Sequence, residues 1–266
     1  MKLTLLRHLW GIGMPLPEAF ERTASRGYAG VEATLYDNPP LVKSLAPQHG
    51  LRLAGMVFTG GDDAAAHFDS LRSQVDQWLA IGAQQITAHS AKDAWPVAQS
   101  VDFYGRCAEY ERTLPIPIAH ETHRGRAFFN PWSTRDILTQ VPAIRLCCDY
   151  SHWVCVTERL LEDCEAILAV TAKHCIHLHA RVGYEHGPQV PDPGAPEYAR
   201  YVEAHERWWR MIWDAHIAAG REELTVTPEF GPPGYLHTLP HTNMPVADLD
   251  QVVEWMSGRL RKTFAS

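Results

Sequence analysis

The sequence predicts an α/β protein folded as one (β/α)8 barrel, and three observations carry that reading. Short β-rich runs alternate with longer amphipathic stretches along the whole chain. Eight such repeats fill 266 residues, the chain length that a barrel of eight βα units needs. No composition shift or low-complexity run divides residues 1–266, so a single domain is expected over that range. A doubly wound sheet would show fewer strands and often a phosphate-binding glycine fingerprint. GIGMPL at 11–16 is no such fingerprint, because it lacks the third glycine and puts Pro15 inside the helix start.

The repeats read in order as follows. The apolar run Leu3 to Leu6 is the first strand, and the helix Pro17 to Arg26 ends at Gly27. Gly30 to Leu35 (GVEATL) precedes a helix from Pro40 to His49, and Leu51 to Phe58 precedes one from Ala64 to Ile81, stopped by Gly82. Gln85 to Ala88 leads to a helix over Pro96 to Arg112, and Ile116 to His120 to one over Ser133 to Gln140, with Ser133 as its expected N-cap. Ile144 to Cys148 is followed by a helix from Thr157 to Ala172, and Cys175 to His179 by one from Tyr198 to Ala219, ended by Gly220. On that last helix Trp208, Trp209, Ile212 and Trp213 form a face that packs on the barrel. Leu224 to Thr227 is the eighth strand, and Val246 to Thr263 the closing helix. Two connections are too long for plain turns, Arg181 to Glu197 and Phe230 to Pro245, and in a barrel both overhang the catalytic face.

Composition narrows the function. With 24 Lys and Arg against 31 Asp and Glu, the formal charge is −7, and no dense basic stripe is present. A protein that binds nucleic acid by neutralising phosphates is therefore not expected. Arg7 and His8 interrupt the first apolar run too early for a signal peptide, and no stretch approaches 18 apolar residues, so no membrane association is expected. Six cysteines without a CxxC pair, and no Asn-x-Ser/Thr site, point to buried thiols in a reducing cytoplasm. A homodimer is an expectation by analogy with other barrels only.

In a barrel the chemistry stands at the C-terminal ends of the strands. Strand five ends in AHETH, strand six in CDYSH, strand seven in HLHAR and strand eight in PEFG. Glu121, Asp149, His179 and Glu229 follow one another at intervals of 28, 30 and 50 residues, close to one repeat each, with the last interval stretched by a long loop. Four ligand-type side chains thus converge on one mouth. Three carboxylates so close repel one another, whereas a divalent cation neutralises them and accepts their oxygens plus an imidazole. One bound cation is expected, with Mn, Mg or Co suiting an oxygen-rich set and Zn as an alternative. His177 and His179 point the same way along their strand, and 179 is nearer the mouth. His89, His152, Arg181 and His186 are the candidate substrate contacts. Glu32 reads either as a polyol contact or as a buried carboxylate satisfied by its neighbours. Trp10, Phe58 and Trp153 read as apolar wall or as core. HETH at 120–123 lacks the HExxH spacing and sits at a strand end, and no GxxxxGK or GxSxG occurs, which removes zincin, Walker-type and serine-elbow readings.

The set Glu121, Asp149 with His152 in DYSH, His179 in HLHAR and Glu229 in PEFG resembles the xylose isomerase-like superfamily of TIM barrels. That superfamily includes ketose 3-epimerases, inosose dehydratases and endonuclease IV, and the resemblance extends over the whole chain as eight βα units. It implies that Glu121, Asp149, His179 and Glu229 hold one divalent metal, and that Glu121 and Glu229 exchange a proton with the substrate. The chain departs from the epimerase pattern where an arginine is expected six residues after the metal histidine. Glu185 stands there, while Arg181 stands two residues on. It departs from endonuclease IV at Phe58 and Thr59 and at Asp192-Pro193-Gly194, where further metal ligands are expected.

The expected function is isomerisation or epimerisation of a sugar or related small polyhydroxy carbonyl compound through a metal-stabilised enediolate, with Glu121 and Glu229 as catalytic groups. The nearest alternative is a sugar dehydratase or lyase with the same metal site. An endonuclease IV-like phosphodiesterase and a non-catalytic sugar-binding barrel follow behind.

Overall fold

Runs this short suit a closed ring, where each strand is covered on both faces. The computed structural model describes residues 1–264. It closes eight parallel strands in sequence order: β1 Lys2–His8, β2 Gly30–Ala33, β3 Arg52–Phe58, β4 Gln85–His89, β5 Ile118–Glu121, β6 Leu146–Cys148, β7 Cys175–His179 and β8 Glu223–Thr227. β1 pairs with β8 in the register Lys2↔Glu223 to Leu5↔Val226, which seals the barrel and leaves no free edge. The (β/α)8 TIM barrel expected from the sequence is the fold observed.

The crossovers are α1 Leu16–Ser25, α2 Pro39–Gln48, α3 Ala64–Ile81, α4 Val97–Glu111, α5 Pro131–Gln140, α6 Tyr150–Thr157, α7 Glu165–His174 and α8 Ala199–Ala218, with α9 Leu249–Thr263 closing the ring. The outer core lies between strands and helices. Trp78 of α3, fully buried, packs on the bare Cα of Gly55 in β3, where a Cβ would overlap the ring. Gly82 ends α3 in the left-handed region at φ 97°, a conformation that costs glycine nothing. Trp208, Trp209 and Trp213 of α8 are buried, as a packing face requires. Trp153 joins this core and donates from Nε1 to the Phe128 carbonyl at 2.9 Å, so it is core and not cavity wall.

Two expectations need correction. Ser133 is not the N-cap of α5. Asn130 is, accepting from the Ser133 amide at 2.9 Å, because Pro131 already occupies the first helical position. The helix expected from Thr157 to Ala172 starts only at Glu165, as α7, and a separate helix, α6, precedes it at Tyr150–Thr157. Asp149 caps α6 directly at the end of β6, Glu158 turns left-handed at φ 52° to end it, and a 3-10 turn at Glu162–Cys164 precedes α7. This early start places His152 in the first turn of α6, beside the barrel mouth.

The barrel interior is polar in its lower layers. His177 bonds through Nδ1 to the Thr225 hydroxyl at 2.8 Å, and that hydroxyl donates to Gln85 Oε1 at 3.1 Å. Thus His177, the lower histidine of the pair, is occupied within the barrel. No helix among the described residues is long and apolar enough to cross a membrane.

Candidate metal centre

The four residues expected as ligands come together. Glu121 and His179 are the last residues of β5 and β7, Asp149 follows β6 directly, and Glu229 lies two residues beyond β8. One ligand atom from each lies within 4.8 Å of all the others, and none of the four residues is more than 3% exposed. His179 Nδ1 is 3.0 Å from Glu229 Oε2 and 3.5 Å from Glu121 Oε1. Yet His179 Nδ1, Glu229 Oε2 and both Glu121 oxygens, although in ion-pair range of one another and of neighbouring side chains, make no hydrogen bond of normal geometry among the described residues. Buried polar atoms left in this state cost about 1–3 kcal/mol each. A convergent set of three carboxylates and one imidazole, with lone pairs turned to a common point, fits a divalent ion held by hard oxygen donors and one nitrogen.

Arg181, 1% exposed, supports this set from the side. Its Nη2 lies 2.5 Å from Asp149 Oδ2, 3.3 Å from Glu229 Oε2 and 2.7 Å from His152 Nε2, and its Nε donates to Ser151 Oγ at 3.2 Å. The other Asp149 oxygen accepts from the Ser151 amide at 3.0 Å and hydroxyl at 2.5 Å, so Asp149 is oriented from both sides. Above the guanidinium lies the Tyr235 ring, 4.8 Å from ring centre to Cζ.

Charge states follow from this crowding. Burial, joined by repulsion from Glu121 and Glu229, raises Asp149 to about 6 although Arg181 opposes it. Burial would also raise Glu229, but Arg181 and His179 bring it down to about 2. Glu121 is likewise held well below the usual carboxylate range, burial being overcome by His89 and His179. Against burial, Cys147 and the carboxylates of Glu229, Glu32 and Glu121 raise His179 well above the usual imidazole range. Three acids around one imidazole therefore hold a cationic charge at this spot, a proton or a metal.

A cavity of about 610 Å³ opens above these residues. Glu229, Arg181 and His89 line it, and Trp10, Phe58 and Tyr235 give it apolar walls. His89 Nε2 is 2.5 Å from Glu121 Oε2. His152 is fully buried below the cavity, 3.7 Å from Asp149 Oδ2 and 4.0 Å from Glu121 Oε1. His186, expected beside the substrate, is instead exposed at the tip of a turn closed by Tyr184 and Gly187, stacked edge-on to Tyr184 and away from the cavity lining. A larger open groove of about 710 Å³ lies at the N-terminal ends of the strands, around Lys2 and Glu222, but gathers no comparable donor set.

Several lining residues went unread in the sequence. His8 reaches the mouth because β1 runs two residues past Leu6, and its Nε2 lies 3.8 Å from Glu229 Oε1. His123, inside AHETH, sits 4.5 Å from the His89 ring and 3.8 Å from the His152 ring, and burial together with His89 drives it down to about 3. Arg126 and Tyr235 come from loops, where no periodicity marks direction.

No family model and no curated protein matches the sequence. Solved structures match at low identity over nearly the whole length. A D-tagatose 3-epimerase-like protein aligns at a TM-score of 0.65 with 12% identity, covering 99% of this chain and 98% of that one. A D-psicose 3-epimerase solved in the presence of D-fructose aligns at 0.64 with 14% identity over 100% of both chains. A xylose isomerase-like TIM barrel protein from Mycobacterium smegmatis in complex with magnesium aligns at 0.64 with 10% identity, covering 98% of this chain and 97% of that one. Identities this low establish the architecture and leave the chemistry to the site. The chain has the xylose isomerase-like TIM barrel fold.

Proposed function

We propose that the protein is a divalent-metal-dependent isomerase or epimerase of a sugar or related small polyhydroxy carbonyl compound. The observation that carries the proposal is the set of unpartnered donor atoms of Glu121, His179 and Glu229, gathered with Asp149 under one cavity. The likeness to structures named as 3-epimerases, and to one holding magnesium, supports it. A divalent ion bound there supplies Lewis acidity that lowers the cost of enediolate charge on a polarised carbonyl.

The remaining steps belong to the protein. Glu121 and Glu229 come from β5 and β8, three strands apart in the ring, and would flank a substrate carbon held between them. Both are held ionised, and either can take a proton from that carbon while the other returns one to the opposite face. His89, close to Glu121 in the cavity wall, would bond a substrate hydroxyl. Arg181 keeps Asp149 and Glu229 in place and adds a fixed positive charge. Trp10, Phe58 and Tyr235 offer faces for the apolar side of a sugar ring and restrict water.

The test is turnover of a panel of ketoses and aldoses in deuterated water by manganese-reconstituted protein. Deuterium should enter at the carbon beside the carbonyl, and Glu121→Gln or Glu229→Gln should suppress labelling and turnover together. Product without deuterium would replace proton exchange by hydride transfer. A product short of one water would move the assignment to a sugar dehydratase with the same first step.

A further inference from the structure

Glu32 is the one buried carboxylate at the heart of the barrel that the mechanism above leaves unused. It sits in β2, with no exposed surface, three strands around the ring from β7. His179 Nε2 lies 3.2 and 3.1 Å from its two oxygens. Thr87 Oγ1 of β4 donates to Oε1 at 2.5 Å, and Thr227 Oγ1 of β8 donates to Oε2 at 2.8 Å. His177 Nε2 stands 3.5 Å from Oε1. The carboxylate is thus fixed by donors from three strands, and its orientation is not free.

The consequence concerns the two nitrogens of His179. A carboxylate only accepts, so the proton between Glu32 and His179 belongs to Nε2. With Nε2–H committed, Nδ1 presents its lone pair, and Nδ1 is the atom that faces Glu121 and Glu229 without a hydrogen-bond partner. We infer that Glu32 is a positioning residue for the metal centre: it locks the Nε2–H tautomer of His179 and strengthens Nδ1 as a donor to the cation. The inference rests on the metal reading above. It assigns to GVEA in the second repeat a role that acts only through His179, with no contact to substrate. Carboxylates behind metal-bound imidazoles act in this way, and their loss weakens metal binding about 10–100-fold.

A purely structural Glu32 would look different on replacement, costing stability without changing how tightly the folded protein holds metal. The experiment therefore measures manganese(II) affinity by calorimetric titration in wild type, Glu32→Gln and Glu32→Ala, beside the melting temperature of each metal-free protein. Glu32→Gln keeps the volume and one acceptor but removes the charge, so manganese affinity should fall about 10–100-fold while the metal-free protein stays folded. Glu32→Ala should bind more weakly still. Affinity in Glu32→Gln within twofold of wild type overturns the inference and leaves the metal centre standing. Should neither variant fold, nitrogen-15 spectra of magnesium-loaded wild type decide the matter directly. The His179 ring must then carry its proton on Nε2, and a proton on Nδ1 overturns the inference. Wild type that binds no manganese removes the metal reading and the Glu32 role with it.

Discussion

Arg181→Met tests whether the buried guanidinium and a bound cation neutralise the same carboxylates. The substitution keeps an apolar stem of similar bulk but removes a charge that is 1% exposed and lies 2.5 Å from Asp149 Oδ2 and 3.3 Å from Glu229 Oε2. Breaking a buried pair from one side costs about 3–5 kcal/mol, because the partner is left buried without its counter-charge. At roughly 2–4 °C per kcal/mol for a protein of this size, metal-free Arg181→Met should melt about 6–20 °C below metal-free wild type. Asp149 stays oriented through Ser151, so the four converging residues keep their places. Manganese added in excess should then raise the variant's melting temperature more than wild type's, since the cation takes over neutralisation that Arg181 had supplied. A hundredfold excess over the dissociation constant is worth about 2.7 kcal/mol, so the shift is measurable. Calorimetric melts with and without manganese read both quantities. Equal melting of the two metal-free proteins, or equal manganese shifts in both, would refute the shared-neutralisation argument.

Two further outcomes are expected away from the centre. Trp78→Ala removes a fully buried ring whose Nε1 donates to the Met56 carbonyl at 2.9 Å, and should cost about 3–5 kcal/mol, read as a lower urea midpoint at unchanged slope. Burial alone would raise Asp250, but Arg26, Arg22 and Arg7 beside it hold its carboxyl below the usual range. Its stabilising contribution is therefore complete above the unfolded value of about 3.9 and disappears as pH falls through the lower folded value. Asp250→Asn should accordingly cost about 1 kcal/mol or less at neutral pH, and urea midpoints of variant and wild type should converge as pH falls through the lowered folded value.

The barrel was legible because each repeat repeats the same hydrophobic switch, from a short apolar run to a helical stripe, and closure follows from having eight of them. The convergence of Glu121, Asp149, His179 and Glu229 was legible because a barrel sends strand ends to one face, so their positions in the repeat sufficed to bring them together. What escaped depended on contacts between repeats. The break at Glu158 and the early start of α6 come from a cap on Asp149 and a single left-handed residue, neither of which disturbs the apolar pattern. His8 stayed hidden because its place at the mouth requires the full length of β1, set by pairing with β2 as far as His8↔Glu32. Tyr235 and His186 both lie on long loops, and only packing decides that the first covers Arg181 while the second faces solvent. Glu32 was left between two meanings because its partners, Thr87, His179 and Thr227, belong to three other strands.

The central claim, one divalent ion held by four strand-end residues, is tested most directly by anomalous diffraction from crystals of manganese-loaded protein. The account predicts one strong peak bonded to His179 Nδ1 and to carboxylate oxygens of Glu121, Asp149 and Glu229 at about 2.0–2.3 Å, the span of metal–oxygen and metal–nitrogen bonds, and no such peak in Asp149→Ala. A wild-type map without a peak at these residues, or with several ions clustered there, would contradict it.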